Sequence, residues 1–284
     1  MCLKLIYSVL LGLIQGVAEF LPISSSGHLA LFENLFGMEA LQELDNSALF
    51  NVLLHFGTLV AVFVFYWRDI CAMAGQIGPL VRALCTDRGN PAEGRVPRRQ
   101  LLLIILATLP LFVVAIFHSA LEALNGKPLF IGCMLLITGL LLWLADRAKP
   151  GKKHAGNITG RDALLIGCAQ ALAVLPGLSR SGTTITAGVF RGLERPYAVR
   201  FSFLMSILSV LGAVVLKLLD VIGGETVNLS LLPFYFVGMA VAGVTGYFSL
   251  HLLKKVADKG RFGGFAYYCW GVGALTVFLT VVLR

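Results

Sequence analysis

Six stretches of this chain, at about 47–67, 101–118, 128–146, 199–219, 231–253 and 264–283, stay apolar for about 20 residues at a time. A stretch of that length crosses the hydrocarbon of a bilayer as one α-helix, which satisfies every backbone N–H and C=O internally. The chain as a whole agrees, with 57% hydrophobic and 13% charged residues among its 284, where a soluble domain carries roughly 25% charged. That composition excludes a disordered segment, a disulfide scaffold and a secreted enzyme. Cys2, Cys71, Cys85, Cys133, Cys168 and Cys269 are scattered singly, with no CxxC pair, so neither zinc nor a disulfide framework is indicated. The first twenty residues contain Gln15 and Glu19 within their apolar run and only Lys4 as a basic flank. They are expected to stay in the mature protein rather than serve as a signal peptide.

Two further apolar stretches are broken. Residues 3–36 are interrupted by LPISSSGH at 21–28, and residues 162–194 by LPGLSRSGTT at 175–184. The flanks suit re-entrant half-helices better than full crossings. Polar, non-helical backbone at membrane depth is tolerated only where protein buries it or a cavity receives it, so each break is a candidate site.

The two broken segments align without a gap when Gln15 is laid on Gln170. Gly12 then falls on Gly167, Ala18 on Ala173, Ser24 on Ser179, Ser26 on Ser181 and Gly27 on Gly182. Three long apolar runs follow each segment, which reads as a duplication with a period of 155 residues. A re-entrant hairpin adds no net crossing, so three crossings per half place the halves in opposite orientations. The expected fold is an all-α polytopic membrane protein: six transmembrane helices plus two re-entrant helical hairpins, in an inverted-topology repeat. Residues 1–146 and 147–284 form its halves within one integral membrane domain.

Charge tests this topology. The loops at 68–100, 146–162, 191–200 and 254–261 should share a side, and they hold 18 of the 23 Lys and Arg residues. The opposite loop at 37–46 holds Glu39, Glu43 and Asp45 and no basic residue. The positive-inside rule puts the basic loops in the cytoplasm, both termini in the periplasm, and the site open to the periplasmic side. The net charge of +8 is thereby explained without a nucleic-acid partner. The basic run Arg95, Arg98, Arg99 could also meet anionic lipid or RNA, but topology alone accounts for it.

Arg180 is the basic residue left inside a break, and Glu19 is its acidic counterpart. A charge at the bilayer centre costs about 2.5–3.5 kcal/mol on insertion scales, and such residues are functional by default. A buried ion pair pinning the halves would explain both charges. It would not explain Ser24, Ser25 and Ser26 on one side and Ser179, Ser181, Thr183 and Thr184 on the other. Hydroxyls at two helix N-termini, with Arg180 between them, suit an anion such as phosphate. Gly27, Gly177 and Gly182 would let backbone approach it. Gln15 and Glu19 share a helix face, and His28 follows Ser24 and Ser25 by one turn. A nucleophilic Ser needs a neighbouring base, and His28 is the natural one. His55, in the crossing FNVLLHFGT, is its nearest rival. A carboxylate beside a phosphate makes sense if a divalent cation, Mg²⁺ or Ca²⁺, bridges them, or if the carboxyl is protonated.

At these residues the chain resembles the bacterial undecaprenyl-pyrophosphate phosphatases of the bacitracin-resistance type. QGVAE, with Gln15 and Glu19, matches that family's first motif and runs on into FLPISSSGH. Pro176, Gly177, Ser179, Arg180, Ser181 and Thr184 match its second, PGxSRSxxT, and FSFL at 201–204 and the spacing of the spans agree. The resemblance implies removal of one phosphate from undecaprenyl diphosphate at the outer face of the bacterial inner membrane. The recycled carrier lipid would serve peptidoglycan synthesis and confer bacitracin resistance. It further implies a homodimer, with Glu19, Ser25, His28 and Arg180 essential and Gln15, Ser24, Ser179, Ser181 and Thr184 supporting. Ser25 is expected to attack phosphorus with His28 assisting, Arg180 to hold the phosphates, and Glu19 to bind metal; His28 as nucleophile is the alternative. Gln15 stands where relatives can carry a second carboxylate, which weighs against two-carboxylate metal binding and leaves Glu19 with Gln15 as the candidate metal residues, and Arg200 stands where some have Glu. A flippase using the same head-group site is the rival from another class, since inverted repeats with broken helices also mark transporters. The acid-phosphatase superfamily is a third reading, but no His follows the SR motif between Thr183 and Phe190.

Overall fold

With no water in the bilayer core, backbone polar groups must pair within helices, and helix is what the sequence forms. The computed structural model describes residues 2–36, 48–80, 95–117, 121, 123–222 and 228–282. These residues form α1 (Cys2–Phe20), α2 (Ser25–Phe36), α3 (Ala48–Phe65), α4 (Trp67–Ala74), α5 (Arg95–Ala115) and α6 (Pro128–Arg147). They continue as α7 (Gly160–Leu172), α8 (Arg180–Phe190), α9 (Arg195–Ile222), α10 (Leu232–Asp258) and α11 (Gly263–Val282). Among the described residues there is no strand, only an isolated bridge between Lys153 and Leu193. The acidic loop 37–46, together with Arg82, Cys85, Arg88 and Arg284, lies outside the described residues.

Six described helices are long and apolar enough to cross a membrane: Cys2–Phe20, Val96–Val114, Pro128–Arg147, Arg195–Val215, Leu232–Asp258 and Gly263–Val282. The pair Leu49–Phe65 and Trp67–Leu80, bent by 82°, brings the number to as many as seven. The chain is a multi-pass membrane protein. Two of the expected boundaries shift. The run 47–67 ends in that bend because Arg68 and Asp69 terminate its apolar character, and the segment beyond buries Met73 while exposing Trp67 and Ile77. Cys2–Phe20, expected as half a hairpin, has the length of a crossing by itself.

Glycines set how these helices meet. A methyl group on Gly12 would lie 2.5 Å from the carbonyl oxygen of Gly238, one on Gly16 2.5 Å from that of Ala242, and one on Gly246 2.6 Å from the Phe20 ring. α1 therefore runs parallel to α10 in close backbone contact, the usual role of small residues between membrane helices. It stops at Phe20, level with Gly246, whereas α10 runs on to Asp258. α2 then turns back, and its Phe32 ring lies 5.5 Å from that of Tyr7. The second broken segment repeats this plan. A methyl on Gly167 would lie 2.2 Å from the Ala107 oxygen of α5. α8 returns so that Arg191 Nε donates to Asp162 Oδ1, at the start of α7, at 2.9 Å. α1 thus packs on α10, and α7 on α5. α3 packs on α10 and α9, and α6 packs on α11.

Candidate functional site

Both hairpins turn on a serine cap. Ser24 Oγ accepts from Gly27 N at 3.2 Å, and Ser179 Oγ accepts from Gly182 N at 3.1 Å; the partners correspond under the 155-residue period. Ser24 has φ +74°, a left-handed conformation that costs a non-glycine residue about 1–2 kcal/mol. Each cap uses one N–H, leaving those of Ser25, Ser26, Arg180 and Ser181 at the helix starts without an acceptor in their own helices.

The breaks interlock. A methyl on Gly27 would stand 3.0 Å from Gly177 Cα, and one on Gly182 would stand 3.4 Å from Pro22. Gly177, at φ +88°, lets the second break pass between the first and α6. Gly27 and Gly182 therefore serve as packing points between the hairpins. Ser181 Oγ donates to the Leu21 oxygen at 3.4 Å across the same joint. Thr138 Oγ1 of α6 accepts from Ser179 N at 3.0 Å.

Glu19 is the hub. Its Oε1 pairs with Arg180 Nη2, so the ion pair is present and joins the end of α1 to the start of α8. Its Oε2 accepts from Ser25 Oγ at 2.6 Å and from Gln15 Nε2 at 3.2 Å. The same Gln15 amide donates to His55 Nδ1 at 2.9 Å, which sets that ring 3.9 Å from Glu19. Arg180 Nη1 also donates to Ser209 Oγ of α9 at 3.1 Å. Gln15 is fully buried behind Glu19, while Glu19, Ser25, His55, Arg180 and Ser209 line a cavity of about 260 Å³ together with Ser24, Ser26, Ser179 and Ser181 and apolar side chains including Val174, Leu178 and Val210. Behind it the rings of Phe20 and Phe203, both buried, meet edge to face at 5.5 Å.

Three expected members, His28, Thr183 and Thr184, lie outside the cavity lining. His28 Nδ1 faces the Ser24 carbonyl oxygen at 2.8 Å, which can only accept, so that nitrogen carries a hydrogen. Its Nε2 meets the Tyr268 hydroxyl at 2.8 Å, and the two rings stack at 5.6 Å. Ser25 thus bonds to Glu19 rather than to His28. Thr183 Oγ1 is buried without a hydrogen-bond partner. Thr184 Oγ1 bonds to Ser202 at 2.6 Å and donates to the Arg180 oxygen at 2.8 Å, bracing the turn that carries Arg180.

Thr138, Ser202, Ser209 and Tyr268 were not singled out from the sequence, and His55 stood only as a rival. Thr138 and His55 are isolated polar residues in long apolar runs, and that isolation is the signal that could have found them. Ser202 and Ser209 share their run with Ser206, and Tyr268 stands beside Tyr267, so isolation does not mark them. Gln15 Oε1 is buried with no hydrogen-bond partner. Among the described residues no group of three or more His, Cys, Asp or Glu could hold a metal ion.

The chain is similar to curated proteins named undecaprenyl-diphosphatase. It is 38% identical to that of Carboxydothermus hydrogenoformans over 275 residues, covering 96% of both chains. It is 37% identical to that of Methanosphaera stadtmanae over 292 residues, covering 99% of this chain and 100% of the relative. The undecaprenyl-diphosphatase of Desulfosudis oleivorans is 40% identical over 279 residues, with 96% and 98% covered. Residues 8–275, which hold both breaks and the whole constellation around Glu19, match the family model of the bacitracin resistance protein BacA, and the chain belongs to that family.

Proposed function

We propose that this protein is a membrane lipid phosphatase that hydrolyses undecaprenyl diphosphate to undecaprenyl phosphate and inorganic phosphate. The observation that carries the reading is the Ser25 hydroxyl donating to Glu19 at 2.6 Å beside Arg180, at two converging helix N-termini. The N–H groups of both helix starts and Arg180 bind the terminal phosphate. Ser25 Oγ attacks its phosphorus, passing the proton to Glu19. The phosphoanhydride bond breaks, and undecaprenyl phosphate leaves. Water then cleaves the phosphoserine, releasing phosphate and returning the proton to Ser25. Arg180 transfers from Glu19 to the substrate in this scheme, keeping charge matched as phosphate enters and the carboxylate takes up its proton. His28, with Nε2 on Tyr268, supports the turn at Ser24 from outside the cavity, so His28 as nucleophile is less well supported.

The donor set fits a divalent cation bound in the magnesium manner, through one carboxylate and substrate phosphates rather than an all-protein cage. Glu19 and the unpartnered Gln15 Oε1 would hold Mg²⁺ or Ca²⁺, which would neutralise charge on the phosphates. The hairpins are read as re-entrant and the halves as an inverted repeat. What supports this is the early stop of α1 beside α10, the return of α2 and α8, and the matching pairs α1 on α10 and α7 on α5. The loop charges support periplasmic termini and a site open to that side, in the bacterial inner membrane. A homodimer is part of the proposal, on family resemblance. No observation favours a separate flippase role. Phosphate release from undecaprenyl diphosphate by purified protein, with Mg²⁺, with Ca²⁺ and with chelator, tests the reading; no release under any condition would refute it.

A further inference from the structure

A second cavity, of about 770 Å³, lies at the basic end of the bundle, where α3 bends into α4 and α9 begins. That volume is within the ordinary range of ligand pockets, roughly 300–1,000 Å³. Buried Phe203 separates it from the Glu19 site, with its ring 5.5 Å from Phe20 and 6.5 Å from Tyr66 in the cavity wall. The proposed hydrolysis uses none of its residues.

Its wall combines cations with aromatic rings: Arg68, Arg200 and Lys254 with Tyr66, Trp67 and Tyr197. Arg200 is committed to Asp69 through Nη2, yet its Nε is a buried donor with no acceptor. Lys254 lies over the Phe65 ring at 5.9 Å. Neither Arg68 nor Lys254 has a carboxylate partner among the described residues. Against them stands Glu194, the other acidic group in the wall. Once the Asp69–Arg200 pair is set aside, the cavity carries one net positive charge. Val64 and Trp67 at its edge are 59% and 60% exposed. Both continue the apolar run of α3 into its bend, which suits that edge to lipid rather than to open water. Tyrosine and tryptophan at this depth are the usual interfacial anchors, and basic pockets between helices on the cytoplasmic side bind acidic head groups.

We propose that this cavity binds the head group of an anionic phospholipid of the basic-side leaflet, with the single negative charge of its phosphodiester held by Arg68 and Lys254. Lateral entry past Val64 and Trp67 leaves the acyl chains in the bilayer. A phosphate-bearing head group and free phosphate share the chemistry that Arg68 and Lys254 recognise, and the arms of the test separate them.

The test measures lipid binding to purified protein by native mass spectrometry and by thermal stabilisation in detergent, with phosphatidylglycerol, phosphatidylethanolamine and inorganic phosphate as probes. The proteins are the parent, Arg68→Gln/Lys254→Gln, and the control Lys149→Gln/Lys152→Gln, which removes the same charge from the same basic loops at two residues that do not line the cavity. Phosphatidylglycerol should bind the parent and the control alike and the Arg68/Lys254 variant roughly 30-fold more weakly, as expected for two interfacial basic residues. Phosphate release measured on all three shows whether each is folded. Equal binding of phosphatidylethanolamine, displacement of lipid by inorganic phosphate, or an equal loss in the control would each overturn the proposal.

Discussion

Glu19 and Arg180 lie 161 positions apart in sequence yet form one ion pair, and separating them should cost stability in a non-additive way. The Glu19 side chain is 7% exposed and that of Arg180 24%. Removing one partner of a buried pair costs about 3–5 kcal/mol, because a charge is left without compensation. In Glu19→Gln the stranded Arg180 reaches some solvent and keeps Ser209, so the cost should fall near the low end, about 3 kcal/mol. In Arg180→Ala the stranded carboxylate is almost fully enclosed and keeps only the neutral donors Ser25 and Gln15, so about 4 kcal/mol is expected. The double variant strands no charge and should cost about 4 kcal/mol rather than the sum, a coupling of about 3 kcal/mol. At roughly 2 °C per kcal/mol for a chain this long, the single and double variants should each melt about 6–8 °C below the parent. Thermal melts of the four detergent-solubilised proteins provide the measurement. If the single effects add to within about 0.5 kcal/mol, the pair does not join the hairpins and the convergent site is wrong.

Other expectations follow from local geometry. Ser24→Ala removes the cap but keeps the left-handed backbone, and should destabilise by about 1 kcal/mol. Ser24→Gly relieves that backbone and should match the parent to within roughly 0.5 kcal/mol in the same melts. Gly12→Val and Gly167→Val each drive a side chain into the backbone of the partner helix, and should each cost about 1–3 kcal/mol or prevent insertion, measured as folded yield and melting temperature. Asp162 is fully enclosed. Burial raises its pKa, but Lys153, Thr159 and Arg191 outweigh that and hold the carboxyl well below its ordinary value of 3.8. A lowered folded-state pKa contributes stability that is complete above the unfolded value and is lost as pH falls through the folded one. Asp162→Asn should therefore melt lower than the parent, by about 2 kcal/mol, with a constant gap from pH 8 to 5 that narrows below about pH 4.

The sequence was most informative where physics leaves few options. Twenty apolar residues in water-free surroundings form a helix, and a polar break at that depth must be enclosed, so both hairpins and both charges were legible. Which serine caps each helix was not legible, because neighbouring hydroxyls at 24–26 and 179–181 could each serve, and only the backbone geometry selects Ser24 and Ser179. Partner choice was less legible. Nothing in the spacing of Ser25 and His28 says that the hydroxyl turns to Glu19 and the imidazole to Tyr268, since that depends on α11, some 240 positions later. His55 likewise gains its place through Gln15, a side-chain contact between two helices. The bend after Phe65 also eluded periodicity, because the apolar run continues through Trp67 before Arg68 ends it.

Phosphate release from undecaprenyl diphosphate by the parent, Ser25→Ala and Arg180→Ala, measured side by side, tests the convergence of the hairpins most directly. One variant alters each break. The parent should release one phosphate per lipid, and each variant should be slower by roughly 10²-fold or more, the scale on which one transition-state donor acts. Arg180→Ala working at the parental rate, or Ser25→Ala retaining activity while Arg180→Ala loses it, would contradict a single site built from both hairpins with Ser25 as its nucleophile.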